Sequence, residues 1–281
     1  MIIKNTLKQI LCFFAIGLVM LACNKDGIPD PYQPEALSKI SQLNFINGSD
    51  SSIFIFDADM ALVSGRNNTL TGIKGYEWFT MEYADTEHKL LSGAEYNTAS
   101  DPNGHRTQRK VSYSRDERNM LSKVTREEWA SKSYTLTYDD TYRLTQLTLN
   151  ESNVVNRYTI TYDDRSNVSS VEIYKKASDV EGNSKVEFSG YDNKTNPFRF
   201  LVNVFYAPVF SSNNGAIFFG KIESSIGLLL SKNNPEKAVR YEKNGDDWQE
   251  GTTTSYTYAT GEKSYPVAIS GGGLSLSIEY Y

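Results

Sequence analysis

Cysteine and histidine are almost absent from these 281 residues, which hold two of each: Cys12, Cys23, His88 and His105. That scarcity excludes a disulfide-stapled scaffold and a Cys/His zinc site. Neither histidine stands in HxxxH or HExxH, and no GxSxG occurs, so the residue sets of a zinc hydrolase and of a serine hydrolase are missing. His105 lies in SDPNGHR, which reads as a loop. Positive charge is also short: 29 Lys and Arg face 34 Asp and Glu, for a net charge of −5 with no basic cluster. Nucleic acid is therefore not an expected partner, because phosphate contacts need clustered cations. No GxGxxG or GxxxxGK is present, so SGGGLS at 270–275 is a flexible turn and no cofactor is implied. Long apolar runs are missing as well, with one exception at the start.

That exception is MIIKNTLKQILCFFAIGLVMLAC, in which Lys4 and Lys8 precede an apolar run from Ile10 to Leu21, followed by Ala22 and Cys23. It is a secretory signal, too short and wrongly flanked for a stable membrane span. The small residue before a cysteine resembles the bacterial lipobox, which makes residues 1–22 a lipoprotein signal peptide and Cys23 the acylated first residue of the mature chain. Acyl chains contribute roughly 0.8 kcal/mol per buried methylene, so a multiply acylated cysteine holds a protein on a membrane. Residues 23–36 follow as a flexible tether, with Pro29, Pro31 and Pro34 spaced too closely for helix or central strand. Lys25 and Asp26 resemble the charged export tag of Bacteroidota surface lipoproteins. With Cys12 removed and Cys23 lipidated no disulfide can form, so stability must come from core burial and backbone pairing.

Residues 37–281 read as a single β-rich domain. SYTLTYDDTYRLTQLTLN (133–150) and RYTITYDDRSNVSSVEIY (157–174) align without gaps on Tyr138 and Tyr162. Period two places Tyr134, Leu136 and Tyr138 on one strand face and Thr135 and Thr137 on the other. Asp139, Asp140 and Thr141 supply turn chemistry, and a second strand starts near Arg143. The step from Leu144 to Leu147, like that from Val168 to Val171, is odd and changes face, which predicts a β-bulge or a strongly twisted stretch between them. Weaker copies are read with Tyr113 and Tyr258 as origins, and Pro266 marks an edge strand or a strand start in the last one. Ser52–Asp57 reads as a further strand, and Glu35–Asn44 as a short helix or a strand. The densely apolar stretch 190–238 suits a plug over one sheet face, with a short helix around Phe198–Val204 and a loop at Asn233, Asn234 and Pro235. The fold class is all-β: a twisted antiparallel meander sheet or partly closed barrel of repeated hairpins, with one or two short helices.

LTYDDTYRL at 136–144 resembles the YD repeats of Rhs-type surface proteins, which have Gly where Tyr142 stands here. YDNKTNPF at 191–198, LSKNNP at 230–235, the YD-like hairpins and the lipobox together resemble a family of Bacteroidota envelope lipoproteins with no established activity. The likeness spans about residues 85–281. It implies a strongly twisted or partly closed antiparallel sheet and a cell-envelope location, with no catalytic residue to carry over.

Carboxylates are the remaining chemistry, because a glycosidase needs only two of them, about 5–9 Å apart. Asp57 and Asp59, Asp139 and Asp140, Asp163 and Asp164, and Asp246 and Asp247 are the candidates. Recurrence in each hairpin makes the middle pairs turn formers, since one active site needs no copies. DADMALVSG lacks the glycine and closing glutamate of an EF-hand loop, so no metal site is assigned. Trp78, Trp129 and Trp248 lie outside the repeat aromatics and are the candidate binding surface. The reading is a lipid-anchored outer-membrane protein, periplasmic or surface-exposed, acting as a non-catalytic binding or scaffold module for a glycan or an outer-membrane protein partner. The alternative is a carboxylate-dependent glycan hydrolase.

Overall fold

The computed structural model describes residues 39–47, 50–58, 61–68, 76–84, 91–99, 106–126, 132–151, 154–176, 182–200, 222–261 and 265–281. They contain seventeen strands of one antiparallel sheet. The first six are β1 (Ile40–Asn47), β2 (Asp50–Phe56), β3 (Leu62–Asn68), β4 (Tyr76–Tyr83), β5 (Leu91–Ala99) and β6 (Arg106–Arg115). Then come β7 (Leu121–Arg126), β8 (Lys132–Tyr138), β9 (Leu144–Glu151), β10 (Val154–Tyr162), β11 (Val168–Tyr174) and β12 (Ser184–Ser189). The last five are β13 (Lys237–Asn244), β14 (Asp247–Ser255), β15 (Thr257–Thr260), β16 (Pro266–Gly271) and β17 (Leu274–Tyr280). Among the described residues between β12 and β13 lie a short 3₁₀ helix, Pro197–Phe200, and an α-helix, α1 (Ile222–Leu230).

Each strand pairs with its sequence neighbour from β1 to β14. β15 pairs with β16, β16 with β17, and β17 returns to β1. β14 and β15 share no ladder among the described residues. They follow one another across Tyr256, whose amide donates to the Glu236 carbonyl at 2.8 Å. The meander is thus a nearly closed barrel, which removes almost all the open edge a flat sheet would expose.

Alternation decides which face is inside. Tyr134, Leu136 and Tyr138 are buried while Thr135 and Thr137 are exposed, and β10 repeats this with Tyr158 and Ile160 against Thr161. Buried apolar side chains of the described strands form one cluster, from Ile40 and Leu43 through Val124, Leu147 and Val171 to Leu276. Each such residue contributes about 1.5–3 kcal/mol on full burial. Ile226, Leu228 and Leu229 of α1 join the same cluster. The helix approaches β12 so closely that a Cβ on Gly227 would lie 2.1 Å from the Phe188 ring.

Several expectations are corrected here. Ile40–Asn47 is a strand, so the helix alternative for that stretch is not adopted from Ile40 onward. The helix expected at Phe198–Val204 is a 3₁₀ turn at Pro197–Phe200, with the remainder outside the described residues. α1 was not foreseen, since an apolar run as short as IGLLL has no period that separates helix from strand. Pro266 bears out its strand-start alternative by opening β16, and only the edge alternative falls, because that strand is paired on both sides.

Candidate functional site

The most repeated piece of chemistry is a turn built on one carboxylate. The Asp139 amide donates to the Arg143 carbonyl at 2.9 Å, while its Oδ1 accepts from the amides of Thr141 and Arg143, each at 2.9 Å. Thr141 Oγ1 adds a contact at 2.8 Å and Arg143 Nε reaches Oδ2 at 2.8 Å. Burial alone would raise this carboxyl's pKa, but the Arg143 amide and guanidinium and the Thr141 hydroxyl outweigh it and hold the group below its usual range. The same backbone turn is closed by Asp163 with Arg165 and Asn167 and by Asp116 with Arg118 and Met120, and Asp57 exchanges the corresponding hydrogen bonds with Ala61.

This geometry corrects the register of the flanking copies. Asp116 is the counterpart of Asp139, so Arg115 rather than Tyr113 occupies the origin, two residues later than read from the aromatics. In the last hairpin Gly261, whose amide donates to the Tyr265 carbonyl at 2.9 Å, takes the aspartate position, and Thr260 rather than Tyr258 is the origin. The predicted bulge is present: Thr137 pairs with Gln146 and Tyr138 with Leu144, leaving Thr145 extra, and the same slip occurs in the 163 and 116 copies. Asn119, Tyr142 and Ser166, each three residues after the aspartate, have φ of 63°, 64° and 68°.

A fifth aspartate turn is split. Asp192 donates its amide to the Asn234 carbonyl at 3.2 Å, and its Oδ1 accepts from the amides of Lys194 and Asn234, each at 3.1 Å. Residues 193–233 are therefore an insertion within one copy of the turn, and the YDNKTNPF and SKNNP segments are its two halves. Asn196, buried, donates to the carbonyls of Leu228 and Ser231 at 2.6 and 2.9 Å and so caps the end of α1. Glu223 in the first turn of α1 is paired with Arg240 of β13, which also donates to Glu242 at 2.6 Å and to Ser184 at 3.2 Å. Burial first, and then the nearby Glu223 charge, push the Tyr158 phenol up to about 12.

A ring of tyrosines links successive hairpins. Tyr83, Tyr138 and Tyr162 donate their hydroxyls to the carbonyls of Leu62, Leu121 and Leu144 at 2.8, 2.8 and 3.0 Å. Tyr191, Tyr258 and Tyr280 donate to Val168, Pro235 and Pro266 at 2.5, 2.6 and 2.7 Å. Each acceptor is the first residue after the turn of an earlier hairpin. The cause is visible at β9 and β10, whose ladder ends at Gln146 and Thr159. The Leu144 carbonyl lies past that last pair, and the tyrosine three residues beyond Thr159 satisfies it. Burial raises the phenols of Tyr191, Tyr258 and Tyr280 well above their usual range, which keeps them donors.

Of the candidate binding tryptophans, Trp248 is described in full. The side chains of Trp78 and all of Trp129 lie outside the described residues, as do Cys23 and the rest of the signal and tether, Asp59, His88 and His105. Trp248 is half-buried on β14 with Lys185 Nζ 4.9 Å and Lys243 Nζ 5.7 Å from its ring. Lys185 also lies 4.9 Å from the Tyr241 ring and 2.6 Å from Glu187. The row continues through Glu172, opposite Lys185 in the ladder, to Tyr174 at 2.9 Å and to Arg157, 3.9 Å from the Tyr174 ring. Cations and aromatic faces thus alternate across β10 to β14. Asp246 and Asp247 are exposed at the tip of the β13–β14 hairpin. Among the described residues no three of His, Cys, Asp and Glu gather as metal ligands.

No protein-family model matches the chain. No curated protein matches it either. Among solved structures it is similar to a porin-like protein from Bacteroides uniformis, with a TM-score of 0.51 and 11% identity over 87% of this chain and 99% of that one. A porin-like protein from Bacteroides vulgatus matches with a TM-score of 0.36 and 10% identity over 87% and 99% of the two chains. The first likeness shows a shared β architecture, and the second carries no argument.

Proposed function

We propose that the chain is a lipid-anchored protein of the bacterial cell envelope, held at the outer membrane through Cys23, whose barrel is a non-catalytic binding or scaffold module for a glycan or a protein. The observation that carries this reading is where the carboxylates are used. Asp57, Asp116, Asp139, Asp163 and Asp192 close turns through backbone amides, so the repeated acids serve the scaffold, whereas the partly exposed Lys185, Tyr241, Lys243 and Trp248 present mixed polar and aromatic surface. Such a surface suits hydroxyl-rich or polar partners that stack on ring edges and bond to ammonium groups. The lipobox-like sequence and the charged tag behind Cys23 support the location.

A glycan array and a pull-down from envelope extract with the mature protein test the binding reading. Retention of a saccharide or protein that falls about tenfold or more in Trp248→Ala or Lys185→Ala supports it. No retention, or retention indifferent to both changes, removes it. Metabolic labelling with palmitate tests the anchor, which requires incorporation that disappears in Cys23→Ala.

A further inference from the structure

We infer that the described barrel wall faces water, neither crossing a bilayer nor enclosing a pore. A bilayer-spanning barrel needs an outward apolar band about 25 Å tall, aromatic girdles at both interfaces and a polar interior. The described residues of this barrel have the opposite polarity. Along β8 to β12 the residues alternating with the buried ones are Thr135, Thr137, Thr159, Glu172, Lys185 and Glu187, with Arg157 in the same band. On the other side of the circuit, Asn44 of β1 bonds to Ser277 and Glu279 of β17 at 3.3 and 3.1 Å, again outside. Charged side chains on a lipid-facing wall are strongly unfavourable near the midplane.

Exposure gives an independent criterion. Side chains that face lipid are bare when no lipid is present, so a spanning barrel would carry a continuous belt of exposed large apolar residues. Among the described residues only Ile46 at 52%, Ile55 at 45%, Val267 at 36% and the terminal Tyr281 at 64% are of that kind. They sit on β1, β2 and β16 and at the chain end, and leave β8 to β12 without any. The interior is equally unlike a conduit: Phe54, Phe56, Leu147, Val171 and Phe198 pack with the apolar side chains of α1 in one cluster.

The inference does not depend on the anchor reading, and it places the binding surface on a wall freely reached from solvent. It is tested with the full chain in a bacterial envelope, using wild type, Cys23→Ala and the outward substitutions Thr135→Lys and Thr161→Lys. The lysine variants are expected to match wild type in yield, thermal midpoint and fractionation, and purified wild type is expected to give no conductance steps in planar phospholipid bilayers. Discrete conductance, or loss of membrane assembly on adding either lysine, overturns the inference. Recovery of Cys23→Ala in the soluble fraction supports both readings. If wild type is itself soluble, the anchor fails and the water-facing wall stands. A Cys23→Ala protein that resists urea extraction after leader cleavage sinks the wall.

Discussion

The hydroxyl of Tyr162 lies 3.0 Å from the carbonyl oxygen of Leu144, joining one hairpin to the one before it at the point where their ladder has ended. Removing that donor leaves a backbone acceptor without its partner. Tyr162→Phe, and separately Tyr138→Phe, are expected to lose about 1–2 kcal/mol in urea unfolding with the m-value unchanged. Because Tyr138 and Leu144 face one another in the β8–β9 ladder, the double variant should depart from the sum of the single losses. A loss below about 0.3 kcal/mol in both would mean that water serves the carbonyl equally well.

Ser166 occupies a left-handed conformation, φ 68°, that favours glycine. Relief of this strain exceeds the extra freedom glycine brings to the unfolded chain, so Ser166→Gly should stabilise by about 0.5–1 kcal/mol. Ser166→Val should destabilise, since a β-branched side chain is least tolerated there. Thermal midpoints that move in the reverse order would refute the strain argument.

Asp139 gives the turn a pH signature. Its folded pKa is depressed, so its contribution is fully present above the unfolded value of about 3.9 and is lost as pH falls through the lower folded value. Asp139→Asn is expected to cost about 1–2 kcal/mol at neutral pH. That difference should shrink on acidification below pH of about 3.9 and vanish below the folded pKa. Unfolding curves with a pH-independent difference would show that the charge is not what closes the turn.

Gly227 and Phe188 form a steric pair. A methyl at Gly227 meets ring carbons at 2.1 Å, so Gly227→Ala should destabilise by about 1–3 kcal/mol and raise amide exchange in α1. Shortening the neighbour by Phe188→Leu should recover part of that loss. The double variant is therefore expected to be more stable than the sum of the single effects predicts. Strict additivity would indicate that α1 relaxes away from β12.

Much of the wall was legible because alternation is a local signal. Tyr134, Leu136 and Tyr138 show period two, and the odd step from Leu144 to Leu147 gives away the bulge at Thr145. What misled was the choice of marker. Aromatic origins misplace the 116 and 261 copies by two residues, because Arg115 and Thr260 fill the tyrosine position while the turn chemistry stays in register. Reading the copies from Asp116 would have revealed this. The fifth turn was hidden for a different reason: Asp192 and Asn234 are partners only after folding, and no periodicity joins them. Trp248 lies outside the repeat aromatics in sequence, and nothing in DDWQEG reveals that Lys185, far away in the chain, lies over its ring.

The split turn at Asp192 separates the continuity of the polypeptide from the continuity of the barrel. One bank of the gap is pinned by the Asp192 amide contacts and the Asn196 cap, the other by α1 and the Glu223–Arg240 pair. Across that turn, β12 passes to β13 through hydrogen bonds between Asp192 and Asn234, residues the backbone joins only by a long detour.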